Sequence, residues 1–310
     1  MRAFVTGGDG FVGRWLQAHL RESGDEVVAP TTDITDAAAL AAVVAEAAPE
    51  VVYHLAALAS VGDSWVSPAA TFTVNATGTL NLLEAVRVLA RPPRVLLVCS
   101  AEVYGRVDPA DLPLTEEAPL RPVSPYAASK VAAEFLGLQA WLAHGLPVLR
   151  VRAFNHIGPG QGPSFVVSSL ARQIAEAGLR GSGRVAVGNL EPRRDFTDVR
   201  DVVRAYRLVV EGGTAGEVYN VCSGEAVAVG DVAARLAALA GGDVRLEVDP
   251  ERVRTVETPV LLGDPSKLVA ATGWTRRYGL DETLRDVLAA WNEQLRADAR
   301  PPATPVPPAG

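Results

Sequence analysis

The sequence predicts an α/β fold, a doubly wound parallel sheet with a smaller lobe stitched from discontinuous pieces. Three observations carry that expectation. Short, almost wholly apolar runs alternate with helical patterns through the first half of the chain, as strands buried on both faces and their crossover helices should. A glycine-rich turn stands between the first such run and the first helix. The alternation then breaks near Phe154, where Gly and Pro crowd residues 158–163, and resumes further on.

The elements follow in order. An apolar strand over residues 3–6 leads into Gly7-Gly8-Asp9-Gly10-Phe11-Val12-Gly13 and a helix through Leu20. Strands are expected at 26–29, 51–55, 95–99 and 147–152, and helices at 37–48, 68–89 and 126–144. Beyond the break come a helix at 164–177, a short strand at 185–187, a helix at 199–211, a strand at 217–221, a helix at 230–240 and a strand at 245–248. Residues 1–154 therefore read as a dinucleotide-binding domain that also receives pieces around 197–230. Residues 155–296 are mainly a second, discontinuous lobe, and the proline-rich end at 297–310 reads as a disordered tail.

Bulk composition bounds the function. A chain of 310 residues, 48% apolar and 21% charged, is ordinary for a globular enzyme-sized protein. Its net charge of −7 disfavours nucleic acid or an anionic membrane as the main partner. No apolar stretch approaches the ~20 residues that span a bilayer. The first strand begins at once, leaving no room for a signal peptide, and Cys99 and Cys222 lie in apolar runs without metal-ligand spacing. Both read as reduced core thiols of a cytoplasmic protein. Asp198 and Asp201 read as helix N-terminal charges rather than metal ligands, and no metal is expected. His54 reads as a strand-end core residue and His156 as a backbone-bonded loop histidine.

Gly7, Gly10 and Gly13 have G-x-x-G-x-x-G spacing. The first glycine permits a tight turn and the second lets backbone approach a pyrophosphate. The third lets helix pack on strand, so that helix N–H groups face the phosphates. A turn after a first strand and before a first helix is the context such a site needs, so NAD(H) or NADP(H) is expected. An acid at the tip of the second strand would bond both ribose hydroxyls and repel a 2′-phosphate. That strand runs out as Pro30-Thr31-Thr32. The first acid is Asp33, expected to open a very short third strand and touch the adenine edge. Arg14 faces either a 2′-phosphate or solvent. The balance leans to NADP(H).

Ser100 ends a central strand at the sheet edge where ligands bind in such folds. Tyr126 and Lys130, at i and i+4, share one helix face. Lys130 is one of only two lysines, the other 27 of the 29 basic residues being arginine. A compact ammonium can serve beside a phenol where a broad guanidinium cannot. The three make a hydride-transfer site. Ser100 bonds a substrate oxygen, Tyr126 gives or takes a proton there, and Lys130 lowers the phenol's pKa and binds a nicotinamide ribose.

These motifs fall in one order. The glycine triplet, Ser100 with Val103-Tyr104-Gly105, the Tyr126/Lys130 pair and Arg193-Arg194-Asp195-Phe196 resemble the extended short-chain dehydrogenase/reductases, the NAD-dependent epimerase/dehydratase family acting on nucleotide sugars. The runs Arg152-Ala153-Phe154-Asn155-His156-Ile157-Gly158-Pro159-Gly160-Gln161, Val218 to Gly224 and Asp264 to Leu268 resemble that family's GDP-mannose branch. The resemblance implies a Rossmann-like fold, a GDP-linked sugar substrate and a homodimer paired through the helices at 68–89 and 126–144. It implies a cofactor site of Gly7, Gly10, Phe11, Val12, Gly13, Arg14, Asp33, Ile34, Leu55, Ala56, Ala57, Tyr126 and Lys130. It also implies that Arg194 and Arg254 grip the diphosphate while Asn155 and Glu257 help position the sugar nucleotide. Arg193 either joins them or lies on an arginine-rich surface.

Position 101 chooses within the branch. Its dehydratases carry a polar residue followed by Glu there, for acid and base work. Ala101 cannot transfer a proton, and Glu102 either serves alone or lines the pocket. The leading expectation is therefore NAD(P)H-dependent reduction of the C4 carbonyl of a GDP-4-keto-6-deoxy-hexose, to GDP-D-rhamnose or its C4 epimer. An NAD-dependent 4-epimerase, a GDP-mannose 4,6-dehydratase and a catalytically silent sugar-nucleotide-binding protein are the alternatives.

Overall fold

The apolar run at the N-terminus becomes β1 (Arg2–Thr6), whose side chains alternate between two buried faces. Ala3 and Val5 enter one core and Phe4 the other, all three with no solvent exposure. The molecule is described from a computed structural model, covering residues 1–181, 183–241, 244–249 and 258–298. After β1 come α1 (Phe11–Glu22), β2 (Glu26–Val28), α2 (Ala37–Ala47), β3 (Val51–His54), α3 (Val61–Val66), α4 (Pro68–Phe72), α5 (Gly78–Arg87), β4 (Arg94–Ser100), α6 (Pro125–His144) and β5 (Val148–Ala153). Then follow β6 (Asn155–Ile157), α7 (Val166–Leu179), β7 (Gly183–Val187), β8 (Arg193–Asp198), α8 (Val199–Gly212), β9 (Val218–Val221), β10 (Ala226–Ala228), α9 (Val229–Ala240), β11 (Val244–Val248), β12 (Val260–Leu261), α10 (Ser266–Thr272) and α11 (Leu280–Asp298).

Six strands form one wholly parallel sheet in the order β2-β1-β3-β4-β5-β9. Helices α1 and α8 cover one face, burying Leu16, Leu20, Val202 and Tyr206. The other face takes α2, α5 and α6 through Leu40, Val44, Leu82 and Ala140. Strand order reverses between β1 and β3, so the crevice of a doubly wound sheet opens at the C-terminal ends of β1, β3 and β4. This is the Rossmann-like arrangement the sequence predicts. A second layer holds β10-β8-β12, with β6 paired to β8, and a parallel β11-β7 pair. Helices α7, α9 and α11 bury a separate core there around Ile174, Val185, Leu236 and Leu284.

Several local expectations are corrected. The single helix expected at 68–89 is divided. Between α4 and α5 the turn at Thr73–Thr77 widens to π spacing, and α3 precedes both. Asn75, inside that turn, spends its side chain on other segments, and π-bulges accommodate such demands. Asp33 opens no strand. Its carboxylate accepts the Thr35 N–H at 2.9 Å and the Thr35 hydroxyl at 2.8 Å, closing a turn ahead of α2. The tail expected from 297 begins as helix, since α11 runs to Asp298, and the rest of it lies outside the described residues. Asp198 caps α8 by accepting the Arg200 N–H, as a helix N-terminal charge should.

Candidate active site

The glycine turn is shaped by what a side chain would strike. Gly7 has φ +70°, and a Cβ there would lie 2.7 Å from the Ala56 nitrogen. A Cβ on Gly13 would lie 2.3 Å from the Gly7 oxygen and 2.5 Å from the Gly8 oxygen. Backbone atoms cannot yield, so α1 sits this close to β1 only with glycine. Gly10 N donates to Gly7 O at 3.1 Å, closing the turn at the helix N-terminus. The result is a concave cradle of backbone with the positive end of α1 behind it, which fits a dinucleotide pyrophosphate.

The residues after β3 run alongside this cradle. Leu55 N donates to Thr6 O and Ala56 N to the Thr6 hydroxyl, at 3.2 and 3.3 Å, with Ala57 next in line. Phe11 and Val12 are half-buried at the start of α1. Ile34 is 3% exposed and packs under Gly78 of α5, so its side chain belongs to the core; its carbonyl accepts from Asn81. Arg14 donates to Asp9 O at 2.5 Å and to Gly160 O at 3.2 Å.

Ser100, Tyr126 and Lys130 are brought together. Ser100 ends β4, and its Oγ accepts the Glu102 N–H at 3.2 Å, starting a tight turn over Ala101–Tyr104. Helix α6 begins at Ser124, whose Oγ caps Ala127 N at 3.1 Å with Pro125 in the first turn. That start puts Tyr126 in the first turn of α6, where its phenol comes near enough to Ser100 for the serine hydroxyl to pull its pKa down. Lys130 Nζ, one turn on, donates to the Val98 carbonyl at 2.9 Å.

The electrostatics differ from the expectation that Lys130 lowers the phenol. Burial pushes Tyr126 well up; the Ser100 hydroxyl pulls it down less strongly, and the Glu102 charge pushes the same way as burial. Burial likewise pushes the Lys130 ammonium down. A phenol so placed stays protonated through neutral pH and can act as an acid.

A cavity of about 430 Å³ opens over this group. Ser100, Ala101, Glu102 and Tyr126 line one end; α7, the end of β7 and Arg194 of β8 line the other. Asn155 on β6 also faces it. Arg194 is held by the Arg193 and Thr258 carbonyls at 3.0 and 2.8 Å. Its neighbour Arg193 is not among the lining residues. It is exposed and donates to Ala226 O, consistent with the arginine-rich surface reading. Arg254 and Glu257 lie outside the described residues.

Sequence reading missed Asn75. Its Nδ2 donates to Ser129 Oγ at 2.9 Å and to Leu58 O at 3.1 Å, while its Oδ1 accepts Leu58 N at 2.8 Å. Ser129 Oγ in turn donates to Tyr126 O at 2.7 Å, so Asn75 ties the first turn of α6 to the segment after β3. The available signal was an Asn in the middle of a long helical pattern; its 1% exposure shows that the carboxamide needs these partners. His156 was also under-read. Its Nδ1 is buried with no partner in bonding geometry, and burial pushes the imidazole down to about 4 against a weaker upward pull from the Phe154 backbone.

Comparison with known proteins identifies the relatives of this chain. The family described as GDP-mannose 4,6 dehydratase matches residues 30–287. A GDP-6-deoxy-D-mannose reductase of Pseudomonas aeruginosa is 40% identical over 96% of this chain and 99% of its own. A GDP-mannose 4,6-dehydratase of Yersinia enterocolitica is 29% identical over 86% of this chain and 79% of its own. Among solved structures, RMD from Pseudomonas aeruginosa complexed with NADPH superposes with a TM-score of 0.88 at 38% identity, covering 94% of this chain and 99% of that one. A UDP-glucose 4-epimerase of Thermus thermophilus, in complex with NAD, gives 0.84 at 30% identity over 94% of this chain and 99% of that one.

Proposed function

The chain belongs to the GDP-mannose 4,6-dehydratase family, and from that premise we propose that it reduces the C4 carbonyl of a GDP-4-keto-6-deoxy-hexose with NAD(P)H. One observation carries the choice of reductase: the cavity places Ala101, 1% exposed, beside the Ser100–Tyr126 hydroxyl pair. A proton-transferring side chain is missing where dehydration needs one, and reduction does not need it. The Pseudomonas aeruginosa reductase at 40% identity supports the same choice.

A bound nicotinamide dinucleotide supplies the hydride. Gly7, Gly10 and Gly13 would cradle its pyrophosphate, with Phe11, Val12 and Leu55 to Ala57 beside it, and Lys130 would hold its ribose. Ser100 donates to the C4 oxygen and orients the carbonyl. Tyr126 passes its proton to that oxygen as the carbonyl becomes a carbinol. Burial supports that role by keeping the phenol protonated until the oxygen acquires charge. Asn155 positions the sugar, and Arg194, with Arg254 and Glu257 carried by motif resemblance, holds the nucleotide diphosphate. On this reading the first lobe holds the cofactor and the second the sugar nucleotide. No acid stands at the tip of β2, so either NADPH or NADH is accepted.

The finer assignments follow. A homodimer through α4, α5 and α6 is supported by exposed Phe72, Leu80, Phe135 and Leu142 on those helices. A cytoplasmic site is supported by two buried thiols that form no disulfide. Among the described residues no helix is long and apolar enough to cross a membrane.

Purified protein mixed with NADPH and the 4-keto sugar should consume the reduced nicotinamide absorbance. No consumption with NADPH or NADH would sink the reductase reading. Conversion of GDP-mannose itself, with oxidised cofactor, would mark a dehydratase instead.

A further inference from the structure

The segment from His156 in β6 to Gln161 stands between two sites. On one side it meets the glycine turn. The Phe11 and His156 rings stack with centroids 6.1 Å apart. Gly158 fits between Phe11 and Val199, where a Cβ would lie 2.6 Å from Val199 Cγ1. Trp15 Nε1 donates to Pro159 O at 3.0 Å, and Arg14 joins Asp9 O of the turn to Gly160 O. On the other side the same segment walls the cavity, through His156, Gln161 and the start of α7. Gln161, 5% exposed, donates to His156 O at 3.0 Å; its carbonyl accepts Ser168 Oγ at 2.6 Å, which in turn accepts Trp291 Nε1 at 3.0 Å. A continuous set of contacts thus runs from the pyrophosphate cradle to the wall of the sugar-nucleotide cavity.

We propose that Arg14 and Trp15 are positioning residues that couple the two sites, so that an occupied dinucleotide turn sets the 156–161 segment for the sugar nucleotide. This rests on the function proposed above. Arg14 is then not a reader of a cofactor 2′-phosphate. One N–H of each terminal nitrogen is spent on a backbone carbonyl on either side of the joint, and a guanidinium fork that bridges two carbonyls fixes their separation. Ligand at the turn orders one end of the joint, and the second ligand then meets a wall already set.

The test uses the full chain and ligands that cannot react together, GDP and NADP⁺, by isothermal titration. Wild-type protein should bind GDP ~5-fold or more tightly when saturated with NADP⁺, the low end of ordinary site-to-site coupling. In Arg14→Ala that ratio should fall toward one while the cofactor-free protein still binds GDP. Trp15→Phe keeps the ring, removes one donor and should lose part of the ratio. Arg14→Ala should also leave the preference between NADPH and NADH as it was. A variant that weakens NADPH ~10-fold and spares NADH would overturn the proposal and make Arg14 a phosphate reader. Independent binding of GDP and NADP⁺ by wild type would overturn the coupling alone, leaving the reductase reading intact. If wild type bound neither, both would fall.

Discussion

Glu134→Gln tests how the catalytic helix is held. Glu134 on α6 has no solvent exposure, and its carboxylate accepts from Arg152 on β5 at 2.6, 3.0 and 3.2 Å; Arg150 Nη1 lies 3.5 Å away. Arg152 also donates to the Tyr104 hydroxyl at 3.0 Å and to Glu116 O at 2.8 Å, and Tyr104 donates to Asn220 Oδ1 at 2.7 Å. One carboxylate therefore balances two guanidinium groups that are 7% and 5% exposed. The amide keeps the shape and removes the charge, leaving both cations without their partner in a dry site. Breaking a buried pair from one side costs about 3–5 kcal/mol. A chain of this size should lose about 5–8 °C in Tm for that energy. Thermal shift reads the loss, and a urea midpoint with unchanged slope confirms that stability, not compactness, has moved. Activity should fall as well, because α6 carries Tyr126 and Lys130. A change under about 1 kcal/mol would refute the reasoning: the pair would then be worth no more than a surface ion pair.

Four further outcomes are expected. Tyr126→Phe should lower kcat by ~10²–10⁴ while cofactor binding, read by nicotinamide fluorescence, holds; a smaller loss would move the proton donor elsewhere. With Tyr126 protonated by burial, kcat/KM should stay flat from neutral into mildly alkaline pH, and a fall centred near neutrality would contradict that assignment. His54, bonded to Thr6 and Thr79 hydroxyls at 2.7 and 2.9 Å, is pushed by burial from 6.5 to about 3. Below 6.5 the unfolded chain takes the proton and the folded chain does not, so stability should drop as pH falls from 6.5 toward 3, by up to ~1.4 kcal/mol per pH unit. His156 adds a parallel loss toward about 4, and urea midpoints of His54→Gln should therefore show a shallower acid slope than wild type. Gly13→Ala forces a Cβ within 2.3 Å of a backbone oxygen, so it should weaken dinucleotide binding and cost on the order of 1–3 kcal/mol. Unchanged binding by equilibrium dialysis would mean that the turn does not hold the cofactor.

The sheet was legible because β1, β3 and β4 are buried on both faces and are written almost wholly in apolar residues; β5 shares that burial but carries Arg150 and Arg152 against Glu134. The Ser100, Tyr126 and Lys130 chemistry was legible because few residue types perform it. The strands β6 and β8 were not, since they carry site residues such as Asn155 and Arg194 and lack an apolar run; β10 and β12 are apolar but only three and two residues long. The helix at 68–89 read as continuous because its composition is helical throughout; the widened turn at Thr73–Thr77 answers Leu58 and Ser129, which are remote in sequence.

By itself, then, the sequence determined the parallel sheet, the glycine cradle and the identities of the reacting groups, each written in local spacing and composition. The tertiary structure decided what depends on distant neighbours. It separated Arg194 from Arg193, kept the Tyr126 phenol protonated by burial despite the lysine one turn away, and spent the Arg14 fork on two carbonyls. Electrostatics and hydrogen-bond pairing are set by which groups share a volume, and that is fixed only when the chain closes.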